Sequence, residues 1–171
     1  AGEAICKTIA ARTDRAPPPC SVVASRGSMA NILALDPVKM LVAGKYRNAG
    51  QICIAPTRFY VHDRIHDAFA AKFAEKAGQL KLGNGLDPET TMGPLANPRR
   101  LIAMNDMTED AVASGARLVE GGSAGDGPGN FWRPTLLADV PDTARIMNEE
   151  PFGPVAVTQR DIAFLQYTGG T

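Results

Sequence analysis

The cysteine at position 53 stands in a sequence context that suits nucleophilic chemistry. It follows the run NAGQI at residues 48–52, in which Gly50 allows close backbone approach and Asn48 and Gln51 supply polar groups. A thiol acts as a nucleophile when its pKa is lowered or a base lies beside it. Backbone N–H groups on a turn can stabilise an oxyanion on the attacked carbonyl. On residue type alone, a lone cysteine is more often a small buried hydrophobic residue, so exposure of the thiol decides between the two interpretations.

Two histidines, His62 and His66, offer a competing chemistry, because a cysteine–histidine pair can carry out acyl transfer without a nucleotide. However, His66 falls on the polar face of a predicted amphipathic helix and His62 at the end of a predicted strand. We therefore expect both to be surface histidines. We likewise expect Arg99 and Arg100 to be solvated residues in the first turn of a helix rather than an anion site.

The three cysteines, Cys6, Cys20 and Cys53, are widely spaced and odd in number. No pair has the C-x2-C spacing of a zinc site, and a disulfide framework is equally disfavoured, which fits a reducing compartment. We therefore expect no metal site and a cytoplasmic location.

Charge and hydropathy exclude several classes of protein. Lys+Arg and Asp+Glu both number 18 in the 171 residues, which gives a formal net charge of zero and no electrostatic footprint for nucleic acid or an anionic membrane. No apolar run approaches the roughly 20 residues that a membrane span needs, and the amino terminus lacks the pattern of a signal peptide. We expect a globular domain that binds neither nucleic acid nor membranes.

Helical periodicity predicts three main helices. The first covers residues 37–47 and begins with an aspartate cap followed by proline. The second starts at Asp63, with an apolar stripe at i, i+4 spacing that continues to Leu80. The third runs from Asn97 to Gly115, and its inward residues are predicted to be Leu101, Met104, Met107, Ala111 and Val112. A helix tail at residues 1–11 and a short helical turn at 143–147 complete the prediction.

Short β-rich runs alternate with these helices. Strands are predicted at residues 31–35, 57–61, 117–119, 135–140 and 154–158, and residues 21–24 are compatible with another. The alternation predicts an α/β fold with a mostly parallel sheet flanked by helices. The run APPP at residues 16–19 fits neither a helix nor a central strand, so we expect residues 1–35 to be irregular and residues 36–171 to form the main domain.

Four motifs occur in an order that resembles the aldehyde dehydrogenase superfamily. The run YRNAGQICIAPTRFYV at residues 46–61 is similar to the family's cysteine signature. The other three are GNGLD with MGPL at residues 83–87 and 92–95, WRPTL at 132–136 and NEEPFGPV at 148–155. The similarity is dense from about Asp36 to Val157 and leans toward the succinate-semialdehyde-type branch. It implies a truncated catalytic domain of the aldehyde dehydrogenase type, incomplete at its carboxyl end.

The resemblance implies a specific reaction with NAD or NADP as cofactor. Cys53 would attack a small aldehyde, hydride would leave the resulting thiohemiacetal, and water would release a carboxylic acid from the thioester. Glu150 would bind the ribose on the nicotinamide side, and Phe152 would pack near the nicotinamide. Gly2 would be the last glycine of a phosphate-binding turn. On residue type alone, Glu150 is a solvated loop carboxylate and Phe152 a core aromatic. A full-length family member is expected to be a homo-oligomer.

The chain departs from the family pattern upstream of the cysteine. Where the family has its general-base glutamate in an L-E-L-G-G motif, residues 23–27 read VASRG, with Ala24 at the glutamate position. A frame-shifted stretch over residues 16–35 is one hypothesis for this loss, and translation of the coding DNA in the other frames tests it. The family's nucleotide-binding domain is also missing, so we expect the fragment alone to be inactive. Two alternatives follow, a non-catalytic remnant and a cysteine-based esterase.

Overall fold

A computed structural model describes residues 21–24 and 37–161, and its framework is a five-stranded sheet. The spatial order of the strands is β1 (Ser21–Ala24), β2 (Arg58–His62), β5 (Val155–Asp161), β4 (Thr135–Ala138) and β3 (Arg117–Glu120). The pairs β1·β2, β2·β5 and β4·β5 are parallel, whereas β3 pairs with β4 in the antiparallel sense. The predicted α/β class with a mostly parallel sheet is confirmed.

Four helices accompany this sheet in the described part of the chain. Their bounds are α1 (Pro37–Tyr46), α2 (Asp63–Gly78), α3 (Pro98–Ala113) and α4 (Arg145–Asn148). Each lies within a few residues of its predicted position. The predicted helix tail at residues 1–11 and the predicted strand at residues 31–35 lie outside the described residues.

Helix α2 packs on the sheet through aromatic side chains. Phe59 of β2 lies with its ring centroid 5.1 Å from that of Phe73 and 6.0 Å from that of Phe69. Tyr46, at the end of α1, lies 6.0 Å from Phe73, and its hydroxyl donates to the carbonyl oxygen of Thr135 at 2.8 Å. Burial of this hydroxyl raises the pKa of Tyr46 well above its ordinary value. The contacts fix α1, and therefore the segment that follows it, against the sheet.

In two places the structure corrects the predicted core-facing side of a helix. His66 is fully buried, because it shares the period of Phe69, Ala70 and Phe73 on α2 at i, i+3, i+4 and i+7. A stripe drawn at i, i+4 alone drifts off a helix face of 3.6 residues per turn, so His66 was assigned to the wrong face. Val112 is 44% exposed, since it follows Ala111, which takes the inward position on α3. The predicted burial of both methionines on α3 is confirmed.

The parallel strands bring two loops to the same edge of the sheet. Strands β2 and β5 are neighbours, and their first residues are Arg58 and Val155. The Val157 N–H donates to the carbonyl oxygen of Thr57 at 2.8 Å, so the pairing extends to the residue before β2. The segments that precede β2 and β5 must therefore approach each other at this edge.

The opposite edge carries a cluster of charged side chains. Arg160 at the end of β5 donates to Asp67 at 2.7 Å and to Asp63 and Asp139 at 3.0 Å. Arg117 lies 3.4 Å from Asp67 and 3.3 Å from Asp139. Hydrogen bonds, mainly from Arg160 and then from His66, lower the pKa of Asp67 below its ordinary value of 3.8. The cluster ties α2 to the carboxyl ends of β4 and β5.

Within residues 37–161, no helix combines the length and apolar character required to cross a membrane.

We expect Asp67 to make the stability of the domain dependent on acidic pH. Because the folded-state pKa of Asp67 is lowered, its stabilising contribution is complete above its ordinary pKa of 3.8 and is lost as the pH falls below that value. Asp67→Asn should therefore lower the thermal unfolding midpoint at about pH 7, and the difference from wild type should shrink as the pH decreases toward about 2.

Glu75→Gln is the matched control, since Glu75 is an exposed carboxylate on the same helix. It should leave the midpoint close to wild type at each pH. A difference between Asp67→Asn and wild type that stays constant with pH would contradict the assigned role of Asp67.

Candidate active site

The chain reverses direction between α1 and the cysteine through three consecutive residues in the left-handed region. Asn48, Ala49 and Gly50 have φ values of 51°, 52° and 70°. The Gln51 N–H then closes the reversal on the Asn48 carbonyl oxygen at 3.1 Å. Asparagine and glycine tolerate this region, whereas alanine there is strained. Such strain persists only where surrounding contacts hold the backbone, as they often do at functional sites.

Cys53 lies at the second position of a tight turn. The Ala55 N–H donates to the carbonyl oxygen of Ile52 at 2.9 Å, so Cys53 and Ile54 form the tip of the turn. The thiol of Cys53 is exposed, and Ile54 is 73% exposed. The alternative of a small buried hydrophobic residue is wrong.

Gln51 fastens the cysteine loop to the segment that contains the MGPL motif. Its side-chain oxygen accepts from the Ala96 N–H at 2.8 Å. Its amide nitrogen donates to the carbonyl oxygens of Asn48 at 3.1 Å and Pro94 at 3.4 Å. The MGPL segment thus holds the cysteine loop through backbone groups, which gives the motif a physical role.

A second loop, residues 149–154, leads from α4 into β5. Its first residue, Glu149, accepts from Arg145 at 2.9 and 3.2 Å, and these hydrogen bonds lower the pKa of Glu149. Glu150 follows and is exposed. Phe152 has a φ of 41° and is 39% exposed. The expectation from residue type that Phe152 is a core aromatic is therefore wrong.

The two loops touch through their backbones. A Cβ atom at Gly50 would overlap the carbonyl oxygen of Gly153, so only glycine fits at position 50. The contact forms one side of a small open cleft. The residues that line the cleft are Gly50, Ile52, Cys53, Ala55, Thr57, Arg58, Glu149, Glu150, Pro151 and Phe152.

Two arginines that the sequence did not single out for the site hold α4 and the second loop that follows it. Arg58 is only 7% exposed and donates to the carbonyl oxygen of Met147 at 2.6 Å. Burial is the main cause that lowers the pKa of Arg58. Arg100 donates to the carbonyl oxygen of Pro151. The prediction that Arg100 is a solvated residue is wrong, and no spacing or composition signal distinguishes it from Arg99, because its partner lies 51 positions away in the chain.

The structure brings three of the four predicted site residues to one place. Cys53, Glu150 and Phe152 line the same cleft, whereas Gly2 lies outside the described residues. Ala24 pairs with Val61, which lies three residues after Arg58, the first residue of β2. At about 3.3 Å per residue, Val61 is about 10 Å farther along the strand from the cysteine loop than Arg58 is. The position predicted for the general base is therefore remote from the cleft in this register.

Neither histidine is among the residues that line the cleft. His62 ends β2 and accepts from the Arg64 N–H at 3.2 Å as it caps α2. It lies at the opposite end of β2 from the cysteine loop, and His66 lies one helical turn farther on. The structure thus places both histidines away from the cysteine loop.

Comparison with known proteins identifies the family. The sequence profile of the aldehyde dehydrogenase family matches residues 30–161. The chain belongs to the aldehyde dehydrogenase family. The family match begins at residue 30, a few residues before Asp36, where the dense similarity of the motifs begins.

Individual aldehyde dehydrogenases agree with the predicted branch. The chain is 45% identical over 119 residues to the glutarate-semialdehyde dehydrogenase of Pseudomonas putida, covering 70% of this chain and 24% of the relative. It is 43% identical over 119 residues to the NADP(+) succinate-semialdehyde dehydrogenase of Escherichia coli, covering 70% and 25%. The crystal structure of succinate-semialdehyde dehydrogenase from Burkholderia pseudomallei superposes with a TM-score of 0.78 at 34% identity, covering 85% of this chain and 30% of that one. The chain spans about a quarter of the length of the curated relatives it matches.

We expect Gly50→Ala to disrupt this aldehyde dehydrogenase cleft. The new Cβ would overlap the Gly153 carbonyl and would force an alanine to a φ of 70°. The free energy of unfolding should fall by about 2 kcal/mol or more. Urea denaturation measures this change.

Gly85→Ala is the control, because a Cβ atom there would meet nothing within 4 Å. It should change the free energy of unfolding by less than about 0.5 kcal/mol. Equal effects of the two substitutions would show that the loop contact is not a constraint.

Proposed function

We propose that this chain supplies the thiol nucleophile and the nicotinamide-side wall of an NAD(P)-dependent dehydrogenase that oxidises a small semialdehyde to a carboxylic acid. One observation carries the proposal. The exposed thiol of Cys53 and the side chains of Glu150 and Phe152 line one cleft between two loops. The chain's membership of the aldehyde dehydrogenase family supports the reaction type.

The position of Cys53 suits attack on a carbonyl carbon. At the tip of a turn, the thiol lies open to a molecule that enters the cleft. A thiolate would form the sulfur–carbon bond, and the carbonyl π electrons would move to the oxygen. The Cys53 backbone N–H is the proposed donor to this oxyanion. The product is a thiohemiacetal on Cys53.

The second loop fits the nicotinamide side of the cofactor. Glu150 is an exposed carboxylate able to accept hydrogen bonds from ribose hydroxyls. Phe152 presents 39% of its surface, and its ring offers an apolar face for a planar heterocycle. The bound cofactor supplies the hydride acceptor. These two residues would hold the acceptor against the carbon bonded to Cys53. Loss of hydride from that carbon, as the oxyanion re-forms a carbonyl, would leave a thioester. Hydrolysis of the thioester would release the acid and the Cys53 thiol.

The substrate class follows from the relatives rather than from the cleft. The Pseudomonas putida and Escherichia coli relatives are named for glutarate semialdehyde and succinate semialdehyde, and the second carries NADP(+) in its name. We propose a short aldehyde that bears a carboxylate, with NAD or NADP as cofactor. We further propose that the full-length protein is cytoplasmic and homo-oligomeric.

A non-catalytic remnant remains the second candidate, and one observation favours it. Ala24 stands at the predicted general-base position, and the family match begins only at residue 30. The carboxylates that line the cleft are Glu149 and Glu150. Glu149 is bound to Arg145, and the proposed role of Glu150 is to bind the cofactor. A polypeptide with this site could present a thiol and bind a nucleotide at Glu150 and Phe152 without completing turnover.

The decisive experiment uses a full-length version of the chain that also carries a nucleotide-binding domain. We expect it to reduce NAD(P)+ in the presence of succinate semialdehyde, measured by nicotinamide absorbance. Cys53→Ser should lower this rate by about a thousandfold or more, because the nucleophile is lost. Cys6→Ser and Cys20→Ser apply the same change elsewhere and should leave the rate near wild type.

The isolated chain separates the alternatives. We expect iodoacetamide to label Cys53 and succinate semialdehyde to slow the labelling. Labelling without any turnover in the full-length version would support the non-catalytic remnant. Hydrolysis of an ester by the isolated chain would support the esterase instead. Dehydrogenase turnover retained by Cys53→Ser rejects the proposed function.

A further inference from the structure

We propose that Arg100 is a positioning residue that fixes the second loop, residues 149–154. By holding this loop, Arg100 sets the distance between Cys53 and the two side chains proposed to face the cofactor, Glu150 and Phe152. This inference rests on the proposed function. Arg100 donates from its guanidinium to the carbonyl oxygen of Pro151, the residue between Glu150 and Phe152. The peptide group between Pro151 and Phe152 is therefore held by a side chain of α3.

The environment of Arg100 supports a role beyond a surface charge. Its Nε is buried and finds no hydrogen-bond partner among the described residues. The neighbouring Arg99 is exposed. A guanidinium that gives up hydration at Nε and donates to a backbone carbonyl makes a charge-assisted hydrogen bond, which is stronger than one between two neutral groups. This hydrogen bond is the contact proposed to order the loop.

Helix α3 supports the loop at a second point on the same face. Met104 lies one turn after Arg100, and its side chain occupies the space where a Cβ atom of Gly153 would project. Met104 is fully buried. Arg100 and Met104 thus hold the loop at Pro151 and Gly153, on either side of Phe152.

The loop needs this support because its own backbone is strained. Phe152 has a φ of 41°, which is unfavourable for a bulky side chain. Release of the Pro151 carbonyl would let Phe152 relax toward a negative φ and move its ring. Hydride transfer requires reacting atoms about 3 to 3.5 Å apart, and a shift of about 1 Å can lower the rate about a hundredfold.

Three variants test the proposal in the full-length protein. Arg100→Ala removes the donor, Arg100→Lys keeps a single cationic donor, and Arg99→Ala removes the same charge from the adjacent exposed position. We expect Arg100→Ala to lower kcat and to raise the KM for the nucleotide about tenfold, while the KM for the aldehyde stays within about twofold. Arg100→Lys should recover a substantial part of both losses, and Arg99→Ala should match wild type.

A second measurement does not depend on dehydrogenase activity. The Val155 amide donates to the Gly153 carbonyl oxygen and the Thr135 amide to the Pro154 carbonyl oxygen, both at 2.9 Å. Hydrogen exchange of these two amides should be about tenfold or more faster in Arg100→Ala than in wild type or Arg99→Ala, because the loop that accepts their hydrogen bonds opens more often. The exchange of α2 amides should not change, which shows that the domain remains folded.

The outcomes separate the inference from the proposed function. Absence of turnover in wild type overturns the proposed function, and the exchange measurement still decides whether Arg100 orders the loop. Unchanged exchange in Arg100→Ala overturns the inference. Wild-type kinetics in Arg100→Ala also overturn the inference. An increase in KM that is equal for the nucleotide and the aldehyde, and that Arg100→Lys does not reverse, overturns it as well.

Discussion

The contact between the backbone of Gly50 and the carbonyl group of Gly153 is the constraint on which the cleft depends. It joins two loops that are about 100 residues apart in the sequence but precede neighbouring parallel strands. Because no side chain separates the two backbones, the thiol at the tip of one loop and the side chains of the other face one space. A larger residue at position 50 would separate the walls and would also disturb the entry into both strands.

Both walls are held by polar groups that bind backbone atoms. Gln51 fastens the cysteine loop to the MGPL segment, and Arg58 and Arg100 donate to the carbonyl oxygens of Met147 and Pro151. Bonds to the main chain fix the path of a loop and leave its side chains available. The residues proposed for chemistry, Cys53, Glu150 and Phe152, are consequently presented toward solvent by neighbours that are partly or fully buried.

Local patterns predicted the elements well and the supporting contacts poorly. Apolar periodicity located α2, and the motif at residues 148–155 located the second wall, because both signals lie within short stretches of sequence. His66 was placed on the wrong face, since its burial depends on the phase of the whole helix rather than on its polarity. Arg100 could not be predicted, because its role arises only when α3 packs against a loop 51 positions away. The relation of Ala24 to the cleft likewise depends on strand register, which a single sequence does not fix.

The distribution of functions between the two edges of the sheet has a practical consequence. The charged cluster around Arg160 joins α2 to the far ends of β4 and β5, whereas the cleft lies where β2 and β5 begin. Strand β5 follows the loop that lines the cleft and carries Arg160 near its other end. An engineer could therefore redesign ion pairs at one edge of the sheet to adjust thermal tolerance, with little effect on the shape of the cleft at the other edge.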